Sequence, residues 1–248
     1  HGEVVPRLAP FLAAKERKGL AKKVIRIAGK PESEVADVVT GAASRFPGVK
    51  VTYRATPGVI EVTLKAEEEL PEGLMEEIRK ELGDFIVSEE GKSLEEALGE
   101  MLRDRGMTLS VAESCTGGLL GERITRVPGS SDYFLGGVVS YSYRAKSDVL
   151  GVPGELLKAK GAVNEEVALH MAKGARRLFG SDFALSVTGV AGPGTGGESE
   201  PVGTVVTGMA TPGGEWAFRY RLPGERELVR QAASSIALAS LLFHLRRG

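Results

Sequence analysis

The chain has 248 residues, of which 42% are apolar and 26% charged, and its formal net charge at pH 7 is −1. This composition is typical of a globular protein with one large or two modest domains, and the charge excludes a general attraction to nucleic acid. No uninterrupted apolar run approaches the roughly 18 residues of a membrane span, basic residues argue against a signal peptide near the start, and the single cysteine favours a reducing, cytoplasmic setting.

The first part of the chain predicts a small α+β domain. Residues 1–21 are basic and are expected to be a linker or a solvated helix. Residues 22–90 then have the order β-α-β-β-α-β. Strand and helix periodicities predict these elements in KVIRIAG, PESEVADVVTGAASRF, VKVTYRA, VIEVTLKA, LPEGLMEEIRKELGDF and FIVS.

Residues 91–248 predict a larger α/β domain. Ser93 and Glu96 form a capping box before an amphipathic helix, so we place the domain boundary near residues 88–92. Beyond it, strands alternate with helices, which indicates helices packed against a sheet. The turn TPGGE joins two strands as a hairpin, and the sheet is therefore expected to be mixed.

Three turns rich in glycine or hydroxyl residues follow or adjoin predicted strands, at residues 114–118, 128–131 and 188–194. Loops at strand ends are where open α/β sheets hold ligands, and glycine lets the backbone approach a ligand closely. Each turn alone could also be an ordinary connection. None has the spacing of a P-loop or of a dinucleotide-binding loop, so those nucleotide classes are disfavoured.

Lysine is the best candidate for a catalytic base. The three histidines, His1, His170 and His244, lie at the terminus or within predicted helices, so neither a Ser-His-Asp triad nor a metal cluster is indicated. A desolvated lysine can lose its proton near neutral pH and activate a hydroxyl. Lys146, just after a predicted strand at 138–142, is the best placed, although it could also be an exposed residue of a short helix.

Arg226 opens the last predicted helix, where a cation opposes the helix dipole. A bound anion such as phosphate would account for a cation at this position. Arg230, one turn later, could lie on the same face. The alternative is that both are solvated surface charges.

Seven motifs taken together carry a resemblance to a known family. They are AESCTGG, PGSSDYF, VVSYSYRAK, GAVNEEVA, SVTGVAGPGTGG, PVGTV and LPGERELVRQAA. In order and spacing these motifs are similar to the carboxy-terminal domain of the CinA family of competence/damage-inducible proteins, which also occurs alone as nicotinamide-nucleotide amidase (PncC). The resemblance covers residues 91–248, and residues 22–90 look like the KH-like middle domain of full-length members. The family's amino-terminal domain, similar to molybdopterin-binding folds, has no counterpart in this sequence, so its activity is not expected here.

The resemblance implies hydrolysis of the carboxamide of nicotinamide mononucleotide, which yields nicotinate mononucleotide and ammonia, by a serine and a lysine without metal or cofactor. The family's functional positions fall on Ser114, Ser131, Tyr141, Lys146, Thr188 and Arg226. Amide hydrolysis needs a nucleophile, a proton shuttle and donors for the tetrahedral oxyanion. We predict Lys146 as the base and Ser131 as the nucleophile, with Ser114 as the main alternative.

The remaining roles concern substrate binding and positioning. If Ser131 is the nucleophile, Ser114 and the amides of its turn would hold the substrate or the oxyanion, and Tyr141 would relay a proton or steady the lysine. Cys115 is expected to be a packing residue, with a thiolate nucleophile as the alternative. The predicted substrate-binding residues are Thr116, Gly117, Gly118, Thr188, Gly189 and Arg226.

The competing interpretation is a nucleotide- or RNA-binding module without catalysis. KH domains clamp nucleic acid with a GXXG loop on a positively charged face. Residues 22–88 contain no GXXG, and the turn at 29–32 lacks the second glycine. We therefore expect the small domain to be structural or dimer-forming, the protein to be a homodimer, and neither nucleic acid nor a membrane to be a partner.

Overall fold

The structure is a computed structural model that describes residues 21–247. The predicted linker, residues 1–21, lies outside the described residues except for its last position. The described chain forms two compact units, one with residues 21–54 and 60–91 and the other with residues 55–59 and 92–247.

The small unit has the predicted order of elements. They are β1 (Ala21–Ala28), α1 (Glu32–Ala43), β2 (Lys50–Thr56), β3 (Val59–Ala66), α2 (Glu72–Leu82), a 3-10 turn (Gly83–Phe85) and β4 (Ile86–Ser88). The strands form one sheet in the order β2-β3-β1-β4. Alternate residues of β3 are buried, as period-two patterning requires of a sheet with one covered face.

The two helices of this unit bury one face each. In α2, Leu74, Ile78 and Leu82 recur every four residues and are fully buried. In α1, Val35 and Val39 have the same spacing. Burial of each such side chain contributes about 1.5–3 kcal/mol, so these faces form the core of the unit together with the buried residues of the sheet.

The large unit is an α/β structure built on a mixed sheet, as predicted. Its strands are β5 (Leu109–Glu113), β6 (Phe134–Val139), β7 (Phe183–Gly189), β8 (Thr204–Thr211) and β9 (Gly214–Arg221). Its helices are α3 (Leu94–Asp104), α4 (Leu119–Thr125), α5 (Tyr143–Leu150), α6 (Gly154–Lys160), α7 (Glu165–Phe179) and α8 (Arg226–Arg247). The sheet order is β6-β5-β7-β8-β9, with β5 parallel to β6 and β7, and with β8 antiparallel to β7 and β9.

Two local features show why helices begin where they do. The predicted capping box is present: Ser93 accepts from the Glu96 amide at 3.2 Å, and the Glu96 carboxylate accepts from the Ser93 amide at 2.7 Å. The strand predicted at 138–142 ends earlier than expected, because β6 runs over Phe134–Val139 and the Ser142 side chain caps α5 by accepting from the Ala145 amide. The chain therefore enters a short helix before Lys146.

The last helix, α8, is long and apolar enough to cross a membrane by length and composition alone, although the sequence has no uninterrupted apolar run of that size. In its most apolar 18-residue window, 56% is buried inside the protein. Val229, Ala233 and Leu241 are fully buried. The core helix of a globular domain has this pattern, so the hydropathy of α8 is weak evidence for a membrane span.

Gly174 in α7 permits a close approach of α5. A methyl group at this position would lie 2.1 Å from the carbonyl oxygen of Leu150, the last residue of α5. Backbone atoms cannot move away as a flexible side chain can. Since α5 also carries Lys146, the absence of a side chain at Gly174 helps to set where Lys146 lies.

We expect Gly174→Ala to lower the free energy of unfolding by about 1–3 kcal/mol, the usual cost of forcing extra atoms into a packed interior. Gly154→Ala is the matched control, because Gly154 is also helical and a methyl group there meets no atom within 4 Å. The control should be neutral or stabilising by up to about 1 kcal/mol. Urea unfolding of both variants measures the difference, and equal stability would contradict the close packing of α5 on α7.

Candidate active site

An open pocket lies at the carboxyl ends of β5 and β7. These strands are parallel neighbours, so the residues that follow them meet at one edge of the sheet. The cavity has a volume of about 160 Å³, and its mouth is open to solvent. The hydroxyl and charged side chains that line it include Ser114, Tyr141, Tyr143, Lys146, Thr188, Thr195, Glu198 and Arg226.

Lys146 and Ser114 are in direct contact in this pocket. Lys146 Nζ donates to Ser114 Oγ at 2.9 Å and to the carbonyl oxygen of Ser140 at 2.7 Å. The Lys146 side chain is 1% exposed, and among residues 21–247 no carboxylate forms an ion pair with it. Ser114 follows β5 directly, and Lys146 lies in the first turns of α5.

Burial determines the protonation of this lysine. Desolvation lowers the pKa of Lys146 from 10.5 to about 8, against smaller opposing effects of Cys115 and Glu198. A neutral amine can accept a proton from a hydroxyl at hydrogen-bond distance. The geometry therefore supplies a serine hydroxyl beside a base that is partly neutral close to pH 8.

Ser131 does not reach Lys146, which corrects its prediction as the nucleophile. Ser131 lies in the 3-10 turn Ser130–Asp132 that precedes β6, whereas Lys146 lies beyond the end of β6. The six residues of β6 span about 20 Å at roughly 3.3 Å per residue. Ser131 is thus at the opposite end of the strand and does not line the pocket, and the alternative, Ser114, is the serine that contacts the lysine.

Glu113 occupies the free amides at the start of α4, directly after the turn that contains Ser114. The buried carboxylate of Glu113 accepts from the backbone amides of Gly118, Leu120 and Gly121 at 3.0, 3.0 and 2.8 Å. These amides belong to the amino terminus of α4, where a carboxylate is favoured by the helix dipole. The protein's own carboxylate therefore occupies the anion site at the amino terminus of α4, including the Gly118 amide that was predicted to contact the substrate.

Thr116, Gly117 and Gly118 accordingly do not line the pocket, contrary to their prediction as substrate-binding residues. Thr116 is fully buried, and its carbonyl oxygen accepts from Arg230 Nη2 at 2.7 Å. Arg230, which lies on α8, thus stabilises this turn by its hydrogen bond to the Thr116 carbonyl. Of this turn, Ser114 and Cys115 line the pocket.

Arg226 and Tyr141 lie together at another part of the pocket wall. Arg226 donates to the carbonyl oxygen of Gly192 at 2.8 Å and to Tyr141 Oη at 3.1 Å. No carboxylate within residues 21–247 forms an ion pair with Arg226, and Tyr141 is 62% exposed. The pair presents a positive charge and a hydroxyl to the pocket, and the structure joins Tyr141 to Arg226 rather than to the amine of Lys146.

Thr188 and Gly189 lie on the pocket wall, but they offer no free side-chain donor to a ligand. The Thr188 hydroxyl donates to the carbonyl oxygen of Ala162 at 2.8 Å and is fully buried. A methyl group at Gly189 would lie 2.7 Å from the carbonyl oxygen of Thr204. Both residues line the pocket, but the Thr188 hydroxyl is already bonded within the protein, and Gly189 allows β8 to approach closely.

Two lining residues had no signal in the sequence, Glu198 and Tyr143. Tyr143 Oη donates to Glu198 Oε1 at 2.9 Å, and the Ala162 amide donates to Glu198 Oε2 at 2.9 Å. Glu198 belongs to a loop rich in glycine, serine and glutamate, a composition typical of solvent-exposed loops. Its position in the pocket follows from the folding of that loop, which local patterns do not encode.

Cys115 lies beside Ser114 and is almost fully buried. Burial raises the pKa of its thiol to about 12, with Lys146 and Arg226 lowering it by less. A thiol with this pKa stays protonated at neutral pH, and the thiolate is the nucleophilic form. The observation favours the packing role over the thiolate alternative. Within residues 21–247, no three His, Cys, Asp or Glu side chains are grouped so that they could hold a metal ion.

A family model and the similar proteins of known sequence point to the same family. A family model of the CinA C-terminal domain matches residues 91–245. A CinA-like protein of Geotalea uraniireducens (strain Rf4) is 42% identical over 238 residues, which are 92% of this chain and 57% of that protein. A putative competence-damage inducible protein of Moorella thermoacetica is 41% identical over 251 residues, 98% of this chain and 60% of that protein. The chain thus spans 57% and 60% of the length of these two relatives.

Solved structures match the large unit. A CinA superfamily protein of Klebsiella pneumoniae 700603 is 33% identical with a TM-score of 0.60, and the match covers 63% of this chain and 100% of that one. A competence/damage inducible protein of Agrobacterium tumefaciens is 37% identical with a TM-score of 0.57, over 62% of this chain and 97% of that one.

Proposed function

The chain belongs to the CinA family, and we propose that its carboxy-terminal domain hydrolyses the carboxamide of nicotinamide mononucleotide to nicotinate mononucleotide and ammonia. The substrate follows from the resemblance of the site motifs to nicotinamide-nucleotide amidases. The observation that carries a hydrolytic role is the contact between Ser114 and a buried lysine whose pKa is lowered to about 8.

The first step transfers the acyl group to the enzyme. Neutral Lys146 takes the proton of the Ser114 hydroxyl as Oγ attacks the carboxamide carbon, which forms the C–O bond of a tetrahedral oxyanion. Lys146 is now an ammonium and can return that proton to the amide nitrogen. The C–N bond then breaks, ammonia leaves, and an ester to Ser114 remains.

The second step releases the product. Water takes the place of ammonia and attacks the ester carbon, with Lys146 as the base that accepts the water proton. The C–O bond to Ser114 breaks, the serine regains a proton from Lys146, and the acid dissociates to the carboxylate of nicotinate mononucleotide. The same lysine thus acts as base and acid in both halves of the reaction, and no redox partner is needed.

The charges of the site suit this substrate. Arg226, without a carboxylate partner in residues 21–247, supports a role as the contact for the phosphate, and the Tyr141 hydroxyl lies beside it. The pyridinium ring of the substrate carries a positive charge. A cation bound near Lys146 lowers the pKa of the amine further and enlarges the neutral fraction at neutral pH.

We expect Ser114→Ala and Lys146→Arg each to lower kcat by at least about 10²-fold, the usual scale for loss of a nucleophile's base. Arginine keeps the charge but does not deprotonate in proteins. The double variant should be little worse than either single one, because paired catalytic groups act as a unit. Ammonia release from the mononucleotide by purified protein, with and without a chelator, measures the rates.

Lys158→Arg is the matched control, because Lys158 is exposed on α6 and pairs with Glu155; it should keep wild-type kcat. Ser131→Ala separates the two serines, since the geometry gives it a much smaller loss than Ser114→Ala. No ammonia from the folded wild-type protein would refute the proposed reaction. Near-wild-type kcat in Lys146→Arg would refute the Ser-Lys mechanism.

The phosphate role of Arg226 gives a second prediction. Arg226→Ala should raise KM with little change in kcat, since a remote charge binds the ground and transition states alike. The preference for the mononucleotide over its phosphate-free riboside should fall by about 10- to 100-fold, which corresponds to about 1.5–3 kcal/mol for one charge-assisted contact. Arg144→Ala, an exposed arginine paired with Asp148, is the control. An unchanged preference in Arg226→Ala would exclude phosphate recognition by Arg226.

A further inference from the structure

Glu198 places a negative charge in a pocket whose other charged lining residues are cations. Of the described residues that line the pocket, Glu198 alone carries a carboxylate, and Lys146 and Arg226 carry the positive charges. The mechanism above makes no use of it. A carboxylate beside a site that must also release an anionic product therefore calls for an explanation.

The carboxylate is held on the side of the pocket where Lys146 lies. Tyr143, one of its two hydrogen-bond donors, begins α5 and precedes Lys146 by one turn. The other donor is the amide of Ala162, whose carbonyl oxygen accepts from Thr188. Glu198 is also close enough to Lys146 to act on its charge, raising the pKa of the amine somewhat.

The loop that carries Glu198 is fixed a second time, two residues further on. Glu200 pairs with Arg219 at 2.9 Å. Arg219 on β9 also forms two parallel hydrogen bonds to Glu165 on α7, at 2.8 and 2.9 Å. The Glu198 carboxylate is thus presented by an anchored loop, so its direction is set before a ligand binds.

Glu198 retains capacity for a ligand. An ionised carboxylate has about four lone-pair positions and accepts hydrogen bonds only. Each oxygen of Glu198 accepts one hydrogen bond from the protein, so about two positions remain. A group with N–H donors would be favoured next to them, and an anionic group would be disfavoured.

We propose that Glu198 is a specificity residue that distinguishes the carboxamide substrate from the carboxylate product. This inference rests on the proposed function and names the part of the pocket that reads the reacting group. The carboxamide of the substrate offers two N–H donors, and its ring is cationic. Hydrolysis replaces these donors with a second negative charge, and like charges at close range favour dissociation.

The test compares binding of the two mononucleotides, amide and acid, by calorimetry in a Ser114→Ala background, so that the amide is not consumed. Glu198→Gln keeps the shape and the acceptor oxygen for one neighbour but removes the charge. We expect the ratio of the Kd of the acid to the Kd of the amide to fall at least about fivefold. In the otherwise wild-type enzyme, the same substitution should strengthen inhibition by the product relative to KM.

Two further variants separate charge from structure. Glu200→Gln removes a carboxylate from the same loop that does not line the pocket, and the Kd ratio should stay within twofold. Tyr143→Phe removes one hydrogen bond to Glu198 but keeps its charge, and the ratio should again stay within twofold. These two results would attribute the discrimination to the charge of Glu198 itself.

A Kd ratio unchanged by Glu198→Gln overturns the inference, as does an equal shift with Glu200→Gln, which would indicate an effect of net charge or of the loop that Glu200 anchors. A shift with Tyr143→Phe as large as with Glu198→Gln would overturn it in favour of a purely structural role. The proposed function is judged separately, by ammonia release from the wild-type enzyme. If ammonia is released and Glu198→Gln does not change the Kd ratio, only the Glu198 inference fails. If the Kd ratio changes but the wild-type enzyme releases no ammonia, only the proposed function fails. If neither mononucleotide binds, both fail.

Discussion

The desolvation of one lysine is the constraint on which the candidate site depends. Lys146 is 1% exposed and donates to a serine hydroxyl and a backbone carbonyl. A buried ammonium without a carboxylate partner is costly, and the group responds by a lowered pKa. The surrounding fold maintains this burial: Ser142 starts the helix that carries the lysine, and Gly174 lets the end of that helix pack closely on α7.

The other side chains of the site are arranged around that pair by the fold. Glu113 occupies the amino-terminal amides of α4, which fixes the turn after Ser114 and closes a possible anion site there. Arg226 and Tyr141 leave a positive surface elsewhere in the pocket. The proposed phosphate contact and the proposed base are thus separate groups, so the phosphate of the proposed substrate need not compete with the chemistry proposed at Lys146.

Much of the fold could be predicted from the sequence, because periodicity and capping are local. The order of elements in the small unit, the mixed sheet of the large unit and the Ser93 cap are as predicted, whereas α5 and α6 were not predicted. Local sequence patterns could not decide between Ser131 and Ser114 as the serine beside Lys146. The answer depends on the pairing of the strands, because Ser114 follows β5 whereas Ser131 precedes β6. The contacts of Gly118 with the buried Glu113 carboxylate and of Thr116 with Arg230 could not be predicted, because they form only in the folded chain. The position of Glu198 in the pocket could not be predicted, because the sequence of a glycine-rich loop does not specify its conformation.

The pKa of the Lys146 amine in the folded protein tests the central claim most directly. Carbon-13 labelling of lysine side chains allows the amines to be titrated by NMR, and the spectrum of Lys146→Arg identifies the Lys146 signal. We predict a midpoint near 8, well below the ordinary lysine value of 10.5. A midpoint for Lys146 at that ordinary value would show that the amine remains charged at neutral pH, and would contradict its role as the base.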